Sequence, residues 1–203
     1  VAYSAACKAP APAVLLVATK NTALTGKIRG CSGQNHCVRL TPTISKKNRM
    51  TALQDLLATF RATAKTEREK GNYFERLVKV YLLNEPLYRD MFGGKVYLWE
   101  EWRKHWMSLG NADPQSDAGI DLVAVEDVAD NPRIFAIQAK FYAEDAKIKK
   151  SDGIDSFLSA SGKAPFTNSM LFMTSYEASH HVIEAVQGRD KPVNIIDLIT
   201  LEN

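Results

Sequence analysis

The chain has 203 residues, 45% of them apolar and 24% charged, which suits a globular protein of one domain with an appendage. No apolar run approaches the ~20 residues that a membrane-spanning helix needs, so no membrane partner is expected, and the lack of cysteine in residues 50–203 suits a reducing, cytoplasmic setting. The net charge of +3 is unevenly spread: Lys8, Lys20, Lys27, Arg29, Arg39, Lys46, Lys47 and Arg49 meet no acid in residues 1–49, while residues 50–203 hold the other 18 basic residues against 23 acidic ones, a net of −5. The basicity therefore belongs to the N-terminal quarter and does not mark the rest as a nucleic-acid binder.

That first quarter reads as a foreign piece. It has no sustained period, and its Pro, Ser, Thr and Gly are scattered. Three readings compete: an acid-poor organelle leader, a disordered basic arm, and an extension upstream of a natural start at Met50. The last is favoured, because the composition changes abruptly at Met50. All three cysteines, Cys7, Cys31 and Cys37, lie in this segment. An odd number without a CxxC pair makes no disulfide framework. Cys31 and Cys37 with His36 lack the second pair of a zinc site.

From Met50 the pattern is regular. Leu53, Leu56, Leu57 and Phe60 predict an amphipathic helix to about Lys70, broken at Gly71. Phe74, Leu77, Val78, Tyr81 and Leu82 mark a second helix ending near Pro86. Lys95–Trp99 alternates like a strand, and Trp99, Trp102 and Trp106 follow at helical spacing. A polar loop spans Gly110 to Gly119. Ile120–Glu126 and Ile134–Lys140 read as two strands of a hairpin. Asp152–Ala160 is a short helix, Met170–Thr174 a buried strand, 177–187 a helix and Val193–Leu198 a final strand. The order α-α-β-β-β-α-β-α-β predicts an α/β fold with a central mixed β-sheet flanked by helices.

Three residues can converge in this fold. Asp121 is the one charge at the start of an apolar strand, on the face of Val123 and Val125, with Ile120, Leu122 and Ala124 facing the other way. Gln138 and Lys140 close the next strand on one face, opposite Phe135, Ile137 and Ala139. If the two strands are antiparallel neighbours, Asp121 stands beside Gln138 and Lys140. A carboxylate and an amide carbonyl suit a hard cation such as Mg²⁺. An ammonium beside them can orient water and neutralise developing negative charge. That equipment fits metal-assisted phosphodiester hydrolysis. Glu75, at the edge of the apolar stripe of its helix, is a fourth candidate.

The stretch GIDLV, with QAK beginning seventeen residues after its Asp, resembles the D-x(n)-(D/E/Q)-x-K core of the PD-(D/E)xK nuclease superfamily. Its Gln, with NYFERL, LFMTSYEAS and NIIDL, resembles the Mrr-like branch. More closely, GNYFERLVKVYL, LWEEW, AGIDLVA, AIQAKFYA and FLSASGKAPF are similar to the N-terminal nuclease domain of type ISP restriction proteins, which also contain a helicase. The resemblance covers residues 50–203. It implies a restriction-endonuclease-like fold and Mg²⁺-dependent DNA cleavage, with DNA as substrate and helicase or methyltransferase domains as partners. It places metal binding at Asp121 and Gln138, a catalytic role at Lys140 and a supporting one at Glu75. Family members usually carry Cys where this chain has Ala139, a change expected to touch packing more than chemistry. The competing reading keeps the fold as a non-catalytic DNA-binding or docking module.

Lys147, Lys149, Lys150 and Lys163 are candidate DNA contacts, to phosphate in the case of the first three. Ser161 and Thr167 belong more naturally to a turn. The three tryptophans can stack bases but at this spacing read as core or as an interdomain surface. His180 and His181 stand about 100° apart on a helix and do not chelate together. Gly93-Gly94-Lys95 lacks the rest of a phosphate-binding loop, so no ATP site is expected.

Overall fold

The structure is a computed structural model and describes residues 51–114, 119–129, 131–187 and 189–203. The readings of residues 1–49 and their cysteines lie outside these.

The first helix, α1 (Ala52–Thr63), opens with a reciprocal cap: Thr51 Oγ1 accepts the Gln54 N–H, and Gln54 Oε1 accepts the Thr51 N–H. It ends at Ala64, well before Gly71. The next helix, α2 (Glu67–Asn84), is capped by Thr66, whose side chain accepts the Glu69 N–H. It runs straight through Gly71, so the expected break at that glycine is corrected. A single glycine costs a helix only ~1 kcal/mol. The cap and the buried stripe of Phe74, Val78 and Leu82 outweigh that cost.

As expected, α2 stops just before Pro86, where Glu85 is extended, a conformation that a following proline favours. Pro86 stands at the first position of a helix the sequence did not suggest, α3 (Pro86–Phe92), where its missing N–H would have had no partner anyway. Strand β1 (Val96–Leu98) leads directly into α4 (Trp99–Ser108), which carries all three tryptophans. The predicted hairpin is β2 (Leu122–Glu126) and β3 (Arg133–Lys140). After β4 (Lys147–Ile148) and a 3-10 turn at Lys150–Asp152 comes α5 (Ile154–Ser161). Then follow β5 (Asn168–Met173), β6 (Glu177–Ala178), α6 (His180–Val186), β7 (Val193–Ile196) and α7 (Leu198–Glu202). The final strand is thus shorter than expected. Leu198 opens a helix because Asp197 caps it, accepting the Thr200 N–H.

The main sheet has five strands in the order β1-β2-β3-β5-β7. The pairs β1–β2 and β2–β3 are antiparallel; β3–β5 and β5–β7 are parallel. The two short strands β4 and β6 pair separately. Period-two alternation divides the apolar residues between two cores. On one face Leu122, Ala124, Phe135, Ile137, Met170 and Phe172 pack with Leu57, Phe74, Val78, Leu82 and Phe92 of the first three helices. On the other, Val123, Ala136, Leu171 and Met173 pack with Trp102, Ile154, Phe157, Leu158 and Val182. The mixed α/β fold with a helix-flanked central sheet is as expected. Each wholly buried Leu or Phe contributes ~1.5–3 kcal/mol, so both faces are firmly held.

One alternation is interrupted. Ile120 packs in the same core as Val123, not with Leu122 and Ala124 as the sequence pattern predicts. Asp121 precedes β2 rather than forming its first rung, so the chain there is free of the strand's strict alternation. No described helix is long and apolar enough to cross a membrane.

Candidate active site

Asp121 is clamped by its backbone. Its N–H donates to the Ile137 carbonyl at 2.9 Å, and its own carbonyl accepts the Trp99 N–H at 2.9 Å. The first contact ties it to β3 and the second to the start of α4. Its carboxylate Oδ2 accepts the Ala139 N–H at 2.7 Å. Ala139 lies between Gln138 and Lys140, so this bond sets the carboxylate beside both. The hairpin therefore brings together the three residues singled out from the sequence. It does so because β2 and β3 are antiparallel, with Leu122 opposite Ile137.

Gln138 is almost wholly buried, only 1% exposed, and its Oε1 has no hydrogen-bond partner. The face it shares with Lys140 is thus not a solvated one. Two glycines make room for the amide. A Cβ on Gly119 would stand 2.9 Å from Gln138 Nε2, and Gly119 has φ +87°. A Cβ on Gly153 would stand 3.2 Å from Lys140 Nζ and 3.8 Å from Gln138 Nε2, again at positive φ. Both positions need glycine twice over, for conformation and for space. The same distances place the Lys140 ammonium and the Gln138 amide around Gly153.

Burial pushes the half-buried Lys140 ammonium below the usual lysine range, while Asp121 and Asp152 pull it back up. Asp152 is a member of this cluster that sequence reading missed. Its carboxylate also accepts the Lys149 N–H at 2.8 Å and so closes the turn before α5.

Glu75 and Asp121 line one cleft of about 670 Å³. Arg68, Gly71, Asn72 and Arg76 of α2 form one wall of it; Leu98, Trp99, Glu100 and Ile120 contribute the rest. Gln138 and Lys140 are not among its lining residues. The site thus has two parts joined by Asp121: a carboxylate-bearing cleft and an amide–ammonium corner beneath Gly119 and Gly153. The donor set of two carboxylates and one amide is oxygen-rich and suits a hard divalent cation. The partnerless buried Gln138 Oε1 fits such a role, because a buried carbonyl without a partner is otherwise costly.

The remaining candidates are dispersed. Lys147 pairs with Glu177 at 3.0 Å and Lys150 with Asp155 at 3.3 Å, and Lys149 and Lys163 are exposed. Ser161 is buried, and Thr167 Oγ1 both accepts the Ile134 N–H and donates to the Ile134 carbonyl, which fixes the start of β3, away from Gln138 and Lys140. Trp102 is core, with its ring 5.2 Å from that of Trp106. The three tryptophans and Lys163 line a separate recess of about 360 Å³. His180 and His181 are exposed and both Nδ1 atoms approach Glu184 Oε2, at 3.2 and 3.4 Å, a shared partner the sequence reading did not assign. The i, i+4, i+8 spacing of Arg68, Asn72 and Arg76 was visible in the sequence, but only the cleft shows what it faces.

Comparison with known proteins bears on the family and the fold. A restriction endonuclease family model, Mrr_cat_2, matches residues 83–203. The fold is similar to a solved ATP-dependent type ISP restriction-modification enzyme, LlaBIII, bound to DNA, with 30% identity and a TM-score of 0.53 over 73% of this chain. The chain spans 8% of that enzyme's length. A DNA modification-dependent restriction endonuclease, AspBHI, matches at 16% identity and a TM-score of 0.47, over 73% of this chain and 33% of its own. No curated protein matches. With its family match running over more than half its length, the chain belongs to the Mrr_cat_2 restriction endonuclease family.

Proposed function

We propose that residues 50–203 are a Mg²⁺-dependent DNA endonuclease module that hydrolyses phosphodiester bonds. The observation that carries this reading is the Asp121 carboxylate held on the Ala139 N–H, between Gln138 and Lys140, in the wall of the cleft that Glu75 lines. Asp121, Gln138 and Glu75 are the residues that would hold the cation. Bound there, it supplies Lewis-acid polarisation of the scissile phosphate and activates water at neutral pH.

The chain's own residues divide the remaining work. The Asp121 carboxylate, oriented by a backbone N–H, needs little reorganisation to act as a ligand. The Lys140 ammonium donates to phosphate oxygen and offsets negative charge as it develops. Gln138 contributes an oxygen without a charge. The free protein is therefore expected to bind Mg²⁺ weakly, with phosphate oxygens of the substrate completing the set. Calorimetry showing tight Mg²⁺ binding without DNA would count against Gln138 as a ligand.

The net charge of −5 in residues 50–203 makes unaided DNA binding weak and measurable only at low salt. This supports delivery to DNA by helicase or methyltransferase domains, as in a restriction system. In this reading Lys149 and Lys163 add phosphate contacts, and Lys147 and Lys150 do so on exchanging their carboxylate partners for phosphate.

The test is nicking of supercoiled plasmid by the 203-residue chain in Mg²⁺ and in EDTA, beside Asp121→Asn and Lys140→Ala. Cleavage by the wild type alone, abolished by EDTA, is the expected result. Equal behaviour of all three proteins would sink the assignment and leave a DNA-docking module.

A further inference from the structure

We infer that α2 carries the phosphate track of this nuclease: Arg68, Asn72 and Arg76 contact the backbone of the DNA strand that enters the cleft. This rests on the nuclease reading for its ligand, but on different residues and a different readout.

The three side chains stand four residues apart on one exposed side of α2 and all line the cleft beside Glu75 and Asp121. None of the three makes a side-chain hydrogen bond or ion pair among the described residues. The cleft's other charges are arranged differently. Glu100 faces Arg103 at 3.7 Å. Glu75 and Asp121 are the carboxylates assigned to the cation. Once a divalent cation offsets those two, Arg68 and Arg76 give the cleft a net positive wall.

The spacing suits a nucleic-acid strand. Arg68 and Arg76 are separated by about 12 Å along the helix axis. A strand of duplex advances ~3.4 Å per phosphate along its own axis, so the two guanidinium groups fall on different phosphates. Asn72 between them can donate its amide to a phosphate or sugar oxygen. By contrast, Lys147 and Lys150 already have carboxylate partners, Glu177 and Asp155.

The experiment is fluorescence anisotropy of a labelled DNA duplex with the 203-residue chain in Ca²⁺ over a series of salt concentrations, with a gel check that the duplex stays intact. The Arg68→Ala/Arg76→Ala double variant is expected to flatten the slope of log affinity against log salt by ~1.8, because each phosphate contact contributes ~0.9. Between 50 and 200 mM salt the wild type then loses about 12-fold more affinity than the double variant. The Arg68→Lys/Arg76→Lys variant restores the slope, since the charge returns. Arg89→Ala, an exposed arginine on α3, leaves it unchanged. Thermal melting reports that the variants fold, as both arginines are exposed.

An unchanged slope in the double variant overturns the inference, as does an equal loss in Arg89→Ala or a wild-type chain that does not bind the duplex. Plasmid nicking separates this from the nuclease reading. A chain that nicks in Mg²⁺ but keeps its slope without the arginines retains the activity and loses the track. A chain that binds through the arginines but never nicks keeps the track and loses the activity.

Discussion

The Asp121 carboxylate and the Ala139 backbone N–H meet at 2.7 Å, which fastens the residue before β2 to the stretch of β3 that carries Gln138 and Lys140. This bond gives Asp121 a structural part beside its proposed chemical one, and substitutions can separate the two. Asn keeps an oxygen for the Ala139 N–H; Ala leaves that partly buried donor without it. Asp121→Ala is expected to cost ~1–3 kcal/mol in stability and Asp121→Asn clearly less. Both should lose Mg²⁺-dependent nicking by at least ~100-fold, the scale of removing one preorganised electrostatic contact from a transition state. Thermal melts beside plasmid assays decide it. Two variants equally unstable would show that this hydrogen bond does not hold the corner.

Two glycines at positive φ offer a controlled comparison. Gly93 caps α3, with open space where a Cβ would go. Gly119→Ala would press a methyl against the buried Gln138 amide. Gly93→Ala is expected to cost ~1–2 kcal/mol for the backbone alone. Gly119→Ala should add ~1–3 kcal/mol of overpacking to a similar backbone cost. Urea midpoints measure both. Equal shifts would mean that the Gln138 amide has room to move.

Gly71 sits inside α2, where its replacement should help. A Cβ there would lie 3.9 Å from Glu75 Oε1, an ordinary contact. Gly71→Ala is expected to stabilise by up to ~1 kcal/mol. For a domain of this size that is a rise in Tm of ~2–4 °C. A fall in Tm would place an unrecognised constraint on the cleft wall.

Glu101 gives a pH signature away from the site. Partial burial pushes its carboxyl up, but hydrogen bonds from Lys79 and the Leu98 N–H, with the Lys79 charge, outweigh that and hold it below the ordinary 4.5. A folded value below the unfolded one means that the unfolded chain binds protons first as pH falls. The contribution is full above about pH 4.5 and fades as pH drops through the lower folded value. Lys79→Met should therefore be less stable than wild type at pH 7, by under ~1 kcal/mol for so exposed a pair, with the gap closing toward pH 3. Urea unfolding across that range is the measurement, and a gap independent of pH would assign the effect to packing.

Much of this architecture was legible because period-two and helical patterns are local. Phe135, Ile137 and Ala139 alternate with Gln138 and Lys140 in the sequence, and the sheet keeps that division between its two faces. Where local cues competed, the reading slipped. Gly71 looked like a break because propensity is a local quantity; the Thr66 cap and the buried stripe of α2 prevail over it. Ile120 left its expected side because the strand begins one residue after Asp121, and a boundary of that kind is set by pairing partners.

The sequence by itself determined the mixed α/β class, the hairpin and the grouping of Asp121, Gln138 and Lys140 at one end of it. A two-stranded antiparallel register is enough to bring those positions together. Only the tertiary structure decided that Gln138 is buried without a partner for Oε1, that Gly119 and Gly153 hold the space around it, and that α2 lays Arg68, Asn72 and Arg76 along the cleft. These relations join residues distant in the chain, through packing of helices on a sheet, and no periodicity within one segment encodes them.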